Sequence, residues 1–494
     1  MTTIRSLFAP ISLVALLAGC TVGPHYAGPP AQTRATAGFV RAGDAPVTAE
    51  APLARWWEAL GDPTLDALVA RALAGNPNVA VAQARLRQAR AALRVARADE
   101  LPSASASGLY AHAHLPGLDL GQLDESGSGN SSAASGAAAG GGGGSTDLDI
   151  YNLGFDASWE VDLFGGQRRG VEAARATAEA AQATIADAQV SLSAEVAQAY
   201  VNLRDRQQRL DLSARSLAMQ QQMLDLTRER FGRGTASRLD VTRLQNQVDG
   251  TRADATPLNA ERDAYLDELA TLIGDEPGTL DATLMAARPI PLPPAQIAIG
   301  DPAALLQRRP DIRAAERTLA ADTAKIGQAE AARFPKISFM GIIGLGGTSP
   351  SDLTKLDDFT ALIAPQISWS FLDFGRNKAR VVQAQGVRDE AEAQYRTTVL
   401  AALRDAEDSL SRFRYRRITV ATLARGKAEA DESVLLTEQR YRAGTTTLID
   451  LLDVQRQQVA AEQSLSVAEA GLTGDFVAIQ KALGLGWAEG PRQP

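Results

Sequence analysis

The sequence predicts a mainly α-helical chain with a membrane β-barrel portion, assembled from two copies of one plan. Three observations carry that prediction. Proline is absent from Gly117 to Thr256 and from Gln366 to Gly490, and apolar residues recur at helical spacing in both stretches. A set of motifs reappears in the second half of the chain at constant displacement. Two nine-residue segments alternate apolar and polar side chains. The 494 residues are 45% hydrophobic, 22% charged and 5% aromatic, an ordinary mixture that argues against a disordered chain. One cysteine and three histidines exclude a disulfide framework and a thiolate zinc site. A net charge of −8 speaks against a nucleic-acid partner.

The first element is a leader. Arg5 precedes an apolar run from Leu7 to Leu17, which ends in Leu17-Ala18-Gly19-Cys20. A positive start, a short apolar core and small residues before a cut site mark residues 1–19 as a signal peptide. The run is too short for a spanning helix of about 20 residues. The Leu-Ala-Gly-Cys ending resembles a bacterial lipobox, and it holds the chain's only cysteine. Lipidation there adds about 0.8 kcal/mol of membrane affinity per buried CH₂. Thr21 follows; the aspartate that resembles an inner-membrane retention signal is absent, and by that resemblance the destination is the outer membrane.

The duplication comes next. Asn76-Pro77 and Leu101-Pro102 match Arg309-Pro310 and Phe334-Pro335, a displacement of 233 positions for both prolines. Trp159, Phe164-Gly165, Arg230, Gly234-Thr235, Asp240, Gln245 and Gln247 match Trp369, Phe374-Gly375, Arg440, Gly444-Thr445, Asp450, Gln455 and Gln457, all displaced by 210. The 23-residue difference between 233 and 210 is an insertion in the first copy, between Pro102 and Trp159. That interval contains a Gly/Ser-rich run over 116–146, a composition that reads as a flexible loop.

Within the first copy, Val196, Leu203, Leu210, Leu217, Leu224 and Phe231 recur every seven residues, a coiled-coil-like seam. A helix from Gln167 to Phe231 would hold 65 residues and extend ~98 Å at 1.5 Å per residue. Gly232 and Gly234 break it, and a second helix returns from about Leu239. In the second copy Phe413, Val420, Val434 and Tyr441 keep part of the seam, while Lys427 interrupts it. Pro257 interrupts the first return helix, where the second copy has Val467; a kink there would bend the two copies differently.

The strands are the remaining elements. From Leu153 to Val161 the odd positions are Leu, Phe, Ala, Trp and Val; from Ile363 to Phe371 they are Ile, Pro, Ile, Trp and Phe. Nine alternating residues suit a tilted membrane strand with one face to lipid and one to a polar lumen. Trp159 and Trp369 suit an interfacial aromatic girdle. Weaker partners lie around Ser103–His114 and Ile337–Leu345. Two strands per copy make four per chain, whereas bacterial barrels begin at 8 strands. Open edges do not persist in hydrocarbon, so the chain must oligomerise, as two copies with eight strands or three with twelve.

These residues together resemble a known family. The order of the lipobox, Val22-Gly23-Pro24-His25-Tyr26, Trp56-Trp57, Asp62-Pro63, Leu65, Leu68 and Asn76-Pro77 is similar to the start of outer-membrane efflux lipoproteins. The tips Arg230-Phe231-x-x-Gly234 and Arg440-Tyr441-Arg442-Ala443-Gly444 strengthen the likeness, as does Ile449-Asp450-Leu451-Leu452-Asp453-x-Gln455-Arg456. From Cys20 to about Trp487 the chain resembles the TolC/OprM-like outer membrane factor family.

The resemblance implies a homotrimer whose twelve strands close an outer-membrane barrel and whose helical hairpins form a periplasmic α-barrel. It divides the chain into a signal peptide (1–19), a lipidated N-terminal and equatorial segment (20–70), a first repeat (71–274), an equatorial linker (275–305), a second repeat (306–487) and a tail (488–494). Parts of Ala31–Trp57, the linker and the tail would form the equatorial belt. It implies conduction of cargo out of the cell, with no chemistry performed and no cofactor or metal. The covalent lipid at Cys20 would be a diacylglycerol and an N-acyl chain. Partners would be a periplasmic adaptor (membrane fusion) protein, an inner-membrane efflux transporter of the RND type, and outer-membrane lipid.

Site residues follow from the same resemblance. Asp450 and Asp453 match the acidic lining of a periplasmic aperture, with Arg456 one turn beyond. Three copies of each carboxylate would attract cations and oppose closure unless paired. Tyr441 and Asp240 match an inter-helix latch, and Thr446 stands where some relatives carry arginine, which would weaken it. Gly234, Thr235, Gly444 and Thr445 are the expected adaptor contacts, although glycine also serves the turn itself. His112 and His114, two apart on a strand, have no further Cys/His cluster to make a metal site. The rival class is a lipid-anchored structural or adhesion protein of helical hairpins; an enzyme is disfavoured by the lack of a nucleophile constellation.

Overall fold

The computed structural model describes residues 21–29, 38–43, 47–48, 50, 53–116, 145–300, 308–355, 357 and 359–487. The leader, Cys20, most of the Gly/Ser-rich run and the tail lie outside these residues. In chain order the first half holds β1 (Val47–Thr48), a 3-10 turn (Trp56–Leu60), α1 (Pro63–Gly75), α2 (Pro77–Ala98), β2 (Ser103–Pro116), β3 (Ser145–Val161), α3 (Gly166–Gly232) and α4 (Arg238–Ile273). The second holds α5 (Asp281–Leu284), β4 (Ile297–Ala298), α6 (Pro310–Ala331), β5 (Lys336–Gly347), a 3-10 turn (Pro350–Thr354), β6 (Phe359–Ser368), α7 (Arg376–Arg442) and α8 (Leu448–Ala482). The chain divides into two compact units, one of Met1–Tyr26, Ala91–Arg175 and Ala321–Arg388, the other of Ala27–Arg90, Ala176–Ala320 and Asp389–Pro494.

The first unit is built on an antiparallel sheet in the order β2-β3-β5-β6. Both hairpins obey the repeat displacements: Ser103 pairs with Ser158, and their counterparts Lys336 and Ser368 pair with each other. Because registered partners share a face, Leu153, Phe155, Ala157 and Trp159 line up with Leu345, Ile343, Gly341 and Phe339, and then with Phe359, Ala361, Ile363 and Pro365. That face is apolar. Phe155, Ile343, Ile363 and Ile367 are exposed on it. The opposite face carries Ser105, Asp156, Ser158, Ser338 and Gln366, with Met340, Ile342 and Leu362 among them. Each tryptophan is fixed the same way: the Trp159 indole N–H donates to Glu100 O at 3.1 Å, and that of Trp369 to Arg333 O at 3.0 Å.

Two strand boundaries differ from expectation. The second alternating segment is Phe359–Ser368 rather than Ile363–Phe371, because its one partner, β5, begins at Lys336 opposite Ser368. Pro335 precedes that residue and donates no ladder bond. Trp369 and Phe371 therefore lie beyond the strand. The first segment begins at Ser145 rather than Leu153, paired with β2 as far as Ser158. Helix α3 has 67 residues, one more at each end than the heptads indicate.

In the second unit the apolar seam is buried where helices pack. Val196 and Leu203 are inaccessible and Leu224 nearly so, while Phe231 is exposed at the tip. The interruption at Lys427 is accommodated by ion pairs to Asp431 at 2.5 Å and Glu462 at 3.5 Å. Pro257 sits inside α4 without ending it. Helix α1 starts on Asp62, whose carboxylate accepts from Thr64 N at 2.9 Å, with Pro63 in the first turn, the position where proline loses no bond. The main core joins Trp56, Trp57, Leu65, Leu203, Leu269 and Phe476; Trp56 meets both Trp57 and Phe476 edge-on, at 5.8 and 5.9 Å. Parts of the segments expected to be equatorial meet here as well. Strand β1 pairs in parallel with β4, and buried Arg204 donates to Ala286 O at 2.9 Å.

This core is where an interior truncation should register most. Phe476→Ala is expected to destabilise the second unit by about 3–5 kcal/mol. Thermal unfolding followed by circular dichroism checks it, and an unchanged midpoint would show that the aromatic cluster is not a principal contact.

Candidate functional site

Apart from Cys20, which lies outside the described residues, the expected site residues gather where the two long hairpins turn. Both turns are built alike. Gly234 and Gly444 adopt left-handed φ values of 77° and 71°. Gly234 N donates to Phe231 O at 2.9 Å and Thr235 N to Arg230 O at 2.9 Å; Gly444 N and Thr445 N do the same to Tyr441 O and Arg440 O, at 3.0 and 2.9 Å. These are the paired bonds of a Schellman C-cap, which requires the left-handed residue to be glycine or its equivalent. The hydroxyls of Thr235 and Thr445 donate to the same Arg230 and Arg440 carbonyls at 3.1 and 3.0 Å. All four expected adaptor-contact residues thus share one turn geometry.

Each return helix then opens on a capping box. Ser237 caps α4 through Asp240, and Thr447 caps α8 through Asp450. Asp450 accepts from the hydroxyls of Thr447 at 2.6 Å and Thr446 at 3.0 Å, and from Thr447 N at 3.0 Å. These bonds, led by the Thr447 hydroxyl, hold its carboxyl below the usual aspartate value of 3.8. Asp453 accepts from Arg456 at 2.6 Å and Gln457 at 2.8 Å, and the Arg456 bond lowers its pKa in turn. Both carboxylates are exposed, so they stay charged at neutral pH. The sign is that of a depressed acid: the stabilising effect is present above 3.8 and fades as pH falls through the lower folded values.

The structure brings Asp450, Asp453 and Arg456 onto the first turns of one helix. It does not join Tyr441 to Asp240 within the chain. Arg230 donates to the Tyr441 hydroxyl at 3.2 Å, and Asp240 is occupied by Ser237, whose hydroxyl lies at 2.7 Å. Between the tips lies a cavity of about 300 Å³ lined by Arg230, Asp240, Arg243, Leu452, Asp453 and Arg456.

Two features of this site escaped the sequence reading. The Thr-x-x-Asp and Ser-x-x-Asp capping boxes were visible as spacing, and they give Asp450 and Asp240 a structural task of their own. The place of Arg243 in the cavity lining is the other; displacement by 210 carries it onto Asp453. The first copy thus places a cation where the second places an anion. His112 lies within 2.9 Å of Asp149, and among the described residues no group of three metal-ligating side chains occurs.

The model of the family described as "Outer membrane efflux protein" matches residues 68–275 and 302–485, two stretches that coincide with the two copies. Nodulation protein T of Rhizobium leguminosarum bv. trifolii is 30% identical over 96% of this chain and 96% of its own length. The outer membrane protein OprJ of Pseudomonas aeruginosa is 30% identical over 97% of this chain and 95% of its own. Among solved structures, the outer-membrane channel OprN superposes with a TM-score of 0.84 at 34% identity, covering 95% of this chain and 100% of that one. The open state of the Neisseria gonorrhoeae MtrE channel superposes with a TM-score of 0.79 at 26% identity, over 94% and 98%.

The cap is open to direct test. Thr447→Ala should cost about 1 kcal/mol of helix stability, which corresponds to roughly fivefold faster amide exchange across Leu448–Asp453. Exchange at the wild-type rate would show that Thr447 does not hold the first turn of α8.

Proposed function

The chain belongs to the outer membrane efflux protein family, and from that premise we propose how its parts conduct cargo. It is the outer-membrane exit duct of an efflux pump in a Gram-negative bacterium. The observation that carries this function is the family match over both copies, joined to near-complete superposition on outer-membrane channels. Three copies close a twelve-stranded barrel, and their hairpins form the tube below it. An adaptor meets the tube at the tips around Gly234-Thr235 and Gly444-Thr445 and links it to an inner-membrane transporter of the RND type. Cargo moves without covalent change, and the chain carries no cofactor beyond a diacylglycerol and N-acyl lipid at Cys20.

Contacts that the first copy satisfies and the second leaves open support the closure. Phe164 stacks on Phe334 at 4.5 Å, across the seam between the two copies. Their displaced counterparts, Phe374 and Leu101, are 92% and 65% exposed. A neighbouring chain set beside β6 would bring its Leu101 to Phe374 and repeat the covered contact. It would also pair the outer edges of β2 and β6, whose amides need partners in hydrocarbon.

At the other end, Asp450 and Asp453 line the aperture. Threefold symmetry sets three of each close together, a ring that draws cations and resists closure where it lacks counter-charge. Arg456, already bound to Asp453, supplies part of that charge within each chain. Tyr441 and Asp240 serve as a latch between neighbouring helices, with Arg230 donating to the tyrosine oxygen and leaving its O–H to donate to the carboxylate.

Three measurements test this reading. In planar bilayers the wild type should give a cation-selective conductance, and Asp450→Ala/Asp453→Ala a larger, less selective one; silence from both would sink the aperture. A Leu101→Cys/Phe374→Cys chain should yield trimers on treatment with a short bis-maleimide, whereas monomers after treatment would refute the closing contact. Cys20→Ser should abolish incorporation of labelled fatty acid, and persistent labelling would place the lipid elsewhere.

A further inference from the structure

The chain immediately after Cys20 occupies a site built for it. Val22 N donates to Phe164 O at 3.1 Å. Arg169, on the first turn of α3, donates through Nε to Val22 O at 3.3 Å and through Nη2 to Gly23 O at 3.1 Å. The same Nη2 reaches His25 Nδ1 at 3.3 Å, and since a guanidinium has no acceptor, the imidazole nitrogen accepts. Glu172 balances the cation at 2.7 Å. Arg169 is 98% buried, its side chain only 2% exposed, although the segment it holds lies at the start of the described chain.

Backbone contact completes the seat. Gly23, at φ +88°, lies so close to Gly327 of α6 that a Cβ on Gly23 would overlap the Gly327 Cα. A Cβ on Gly327 would fall 2.8 Å from Arg169 Cγ, and one on Gly165 would overlap Thr21. Close approach of backbones is a position only glycine fills without displacement. Phe164, Gly165 and Arg169 come from the first copy and Gly327 from the second, so residues 21–25 lie across the seam between copies.

The duplication shows that this seat is not a by-product of the fold. Gly375, the counterpart of Gly165, keeps the left-handed turn at φ +85°. Displacement by 210 carries Arg169 onto Ala379, however, and displacement by 233 carries Gly327 back onto Arg94. An equivalent seat, made from the second copy's turn and the first copy's Arg94, would therefore have neither the donor nor the open space. One N-terminus per chain meets one seat per chain.

We propose that Thr21–His25 form a strap, and that its seat on Arg169, Gly165 and Gly327 sets where the modified N-terminus meets the barrel. The inference rests on lipidation at Cys20 for the word "modified"; the strap itself rests on the contacts. A residue spans at most about 3.6 Å, so a lipid on Cys20 enters the membrane beside the seam with one residue of slack. In a trimer the strap braces the three seams within chains and none between them.

Because Cys20 is the chain's sole cysteine, a nitroxide on Pro24→Cys reports on the strap in otherwise wild-type, detergent-solubilised protein. Its spectrum should be immobilised. Arg169→Ala and Gly327→Leu should each convert it to a mobile one, and Arg169→Lys, which keeps the charge but loses the fork, should lie between. Far-ultraviolet dichroism identifies any variant that has lost its fold, and the two substitutions disturb the seat by different means, one removing the donor and the other filling the space. In Cys20→Ser, labelled likewise at Pro24→Cys alone, the label should stay immobilised. A label mobile in the parent, unmoved by both seat substitutions, or released by Cys20→Ser overturns the proposal. The mass of the N-terminal peptide separates the two claims: an immobilised strap on an unmodified Cys20 would end the lipid reading and leave the seat standing.

Discussion

Everything in this chain answers to one constraint, the need of a backbone amide for a partner when water is absent. Inside a sheet the ladder meets it, and at a sheet edge in hydrocarbon nothing does. Four strands in the order β2-β3-β5-β6, with an apolar face carrying Phe155, Ile343 and Ile363, cannot be a finished membrane structure. The chain resolves the conflict by repetition. Its hairpins keep identical registers in the two copies, so the pairing geometry used within the chain is available for closure with further copies.

Repetition supplies the frame, and departures from it supply the function. Arg243 and Asp453 occupy equivalent positions with opposite charge. Arg169 and Ala379 do the same with and without a guanidinium, which gives one copy a seat for the N-terminal strap and denies it to the other. Lys427 breaks the second seam and is held by Asp431 and Glu462, so an interruption of the apolar stripe became an ion-paired contact. These substitutions make the two copies chemically distinct while their backbones keep one plan. Asp453 on the second return helix thus has no acidic counterpart on the first.

The residues proposed for the aperture show two demands met by one side chain. Asp450 completes a helix cap with three hydrogen bonds, and the same bonds keep it ionised. A carboxylate held by its own helix terminus keeps its charge and position without a partner from another helix. Asp453 is tethered more loosely, by Arg456 and Gln457 on the following turn. Rearrangement of those exposed contacts costs little, since isolated surface pairs contribute at most about 1 kcal/mol.

Much was legible from the residues alone. Helix length, turn position, four alternating strands and the duplication all follow from local rules: heptad spacing, glycine's access to left-handed φ, and the period of two along a strand. These depend on neighbours in sequence, which a sequence displays. The structure decided what depends on distant partners. It ended β6 at Ser368 because β5 begins at Lys336. It gave the Tyr441 hydroxyl to Arg230. It buried Arg169 against carbonyls some 146 positions earlier in the chain. No periodicity announces such contacts, because they arise only when packing brings remote segments to within a hydrogen-bond length.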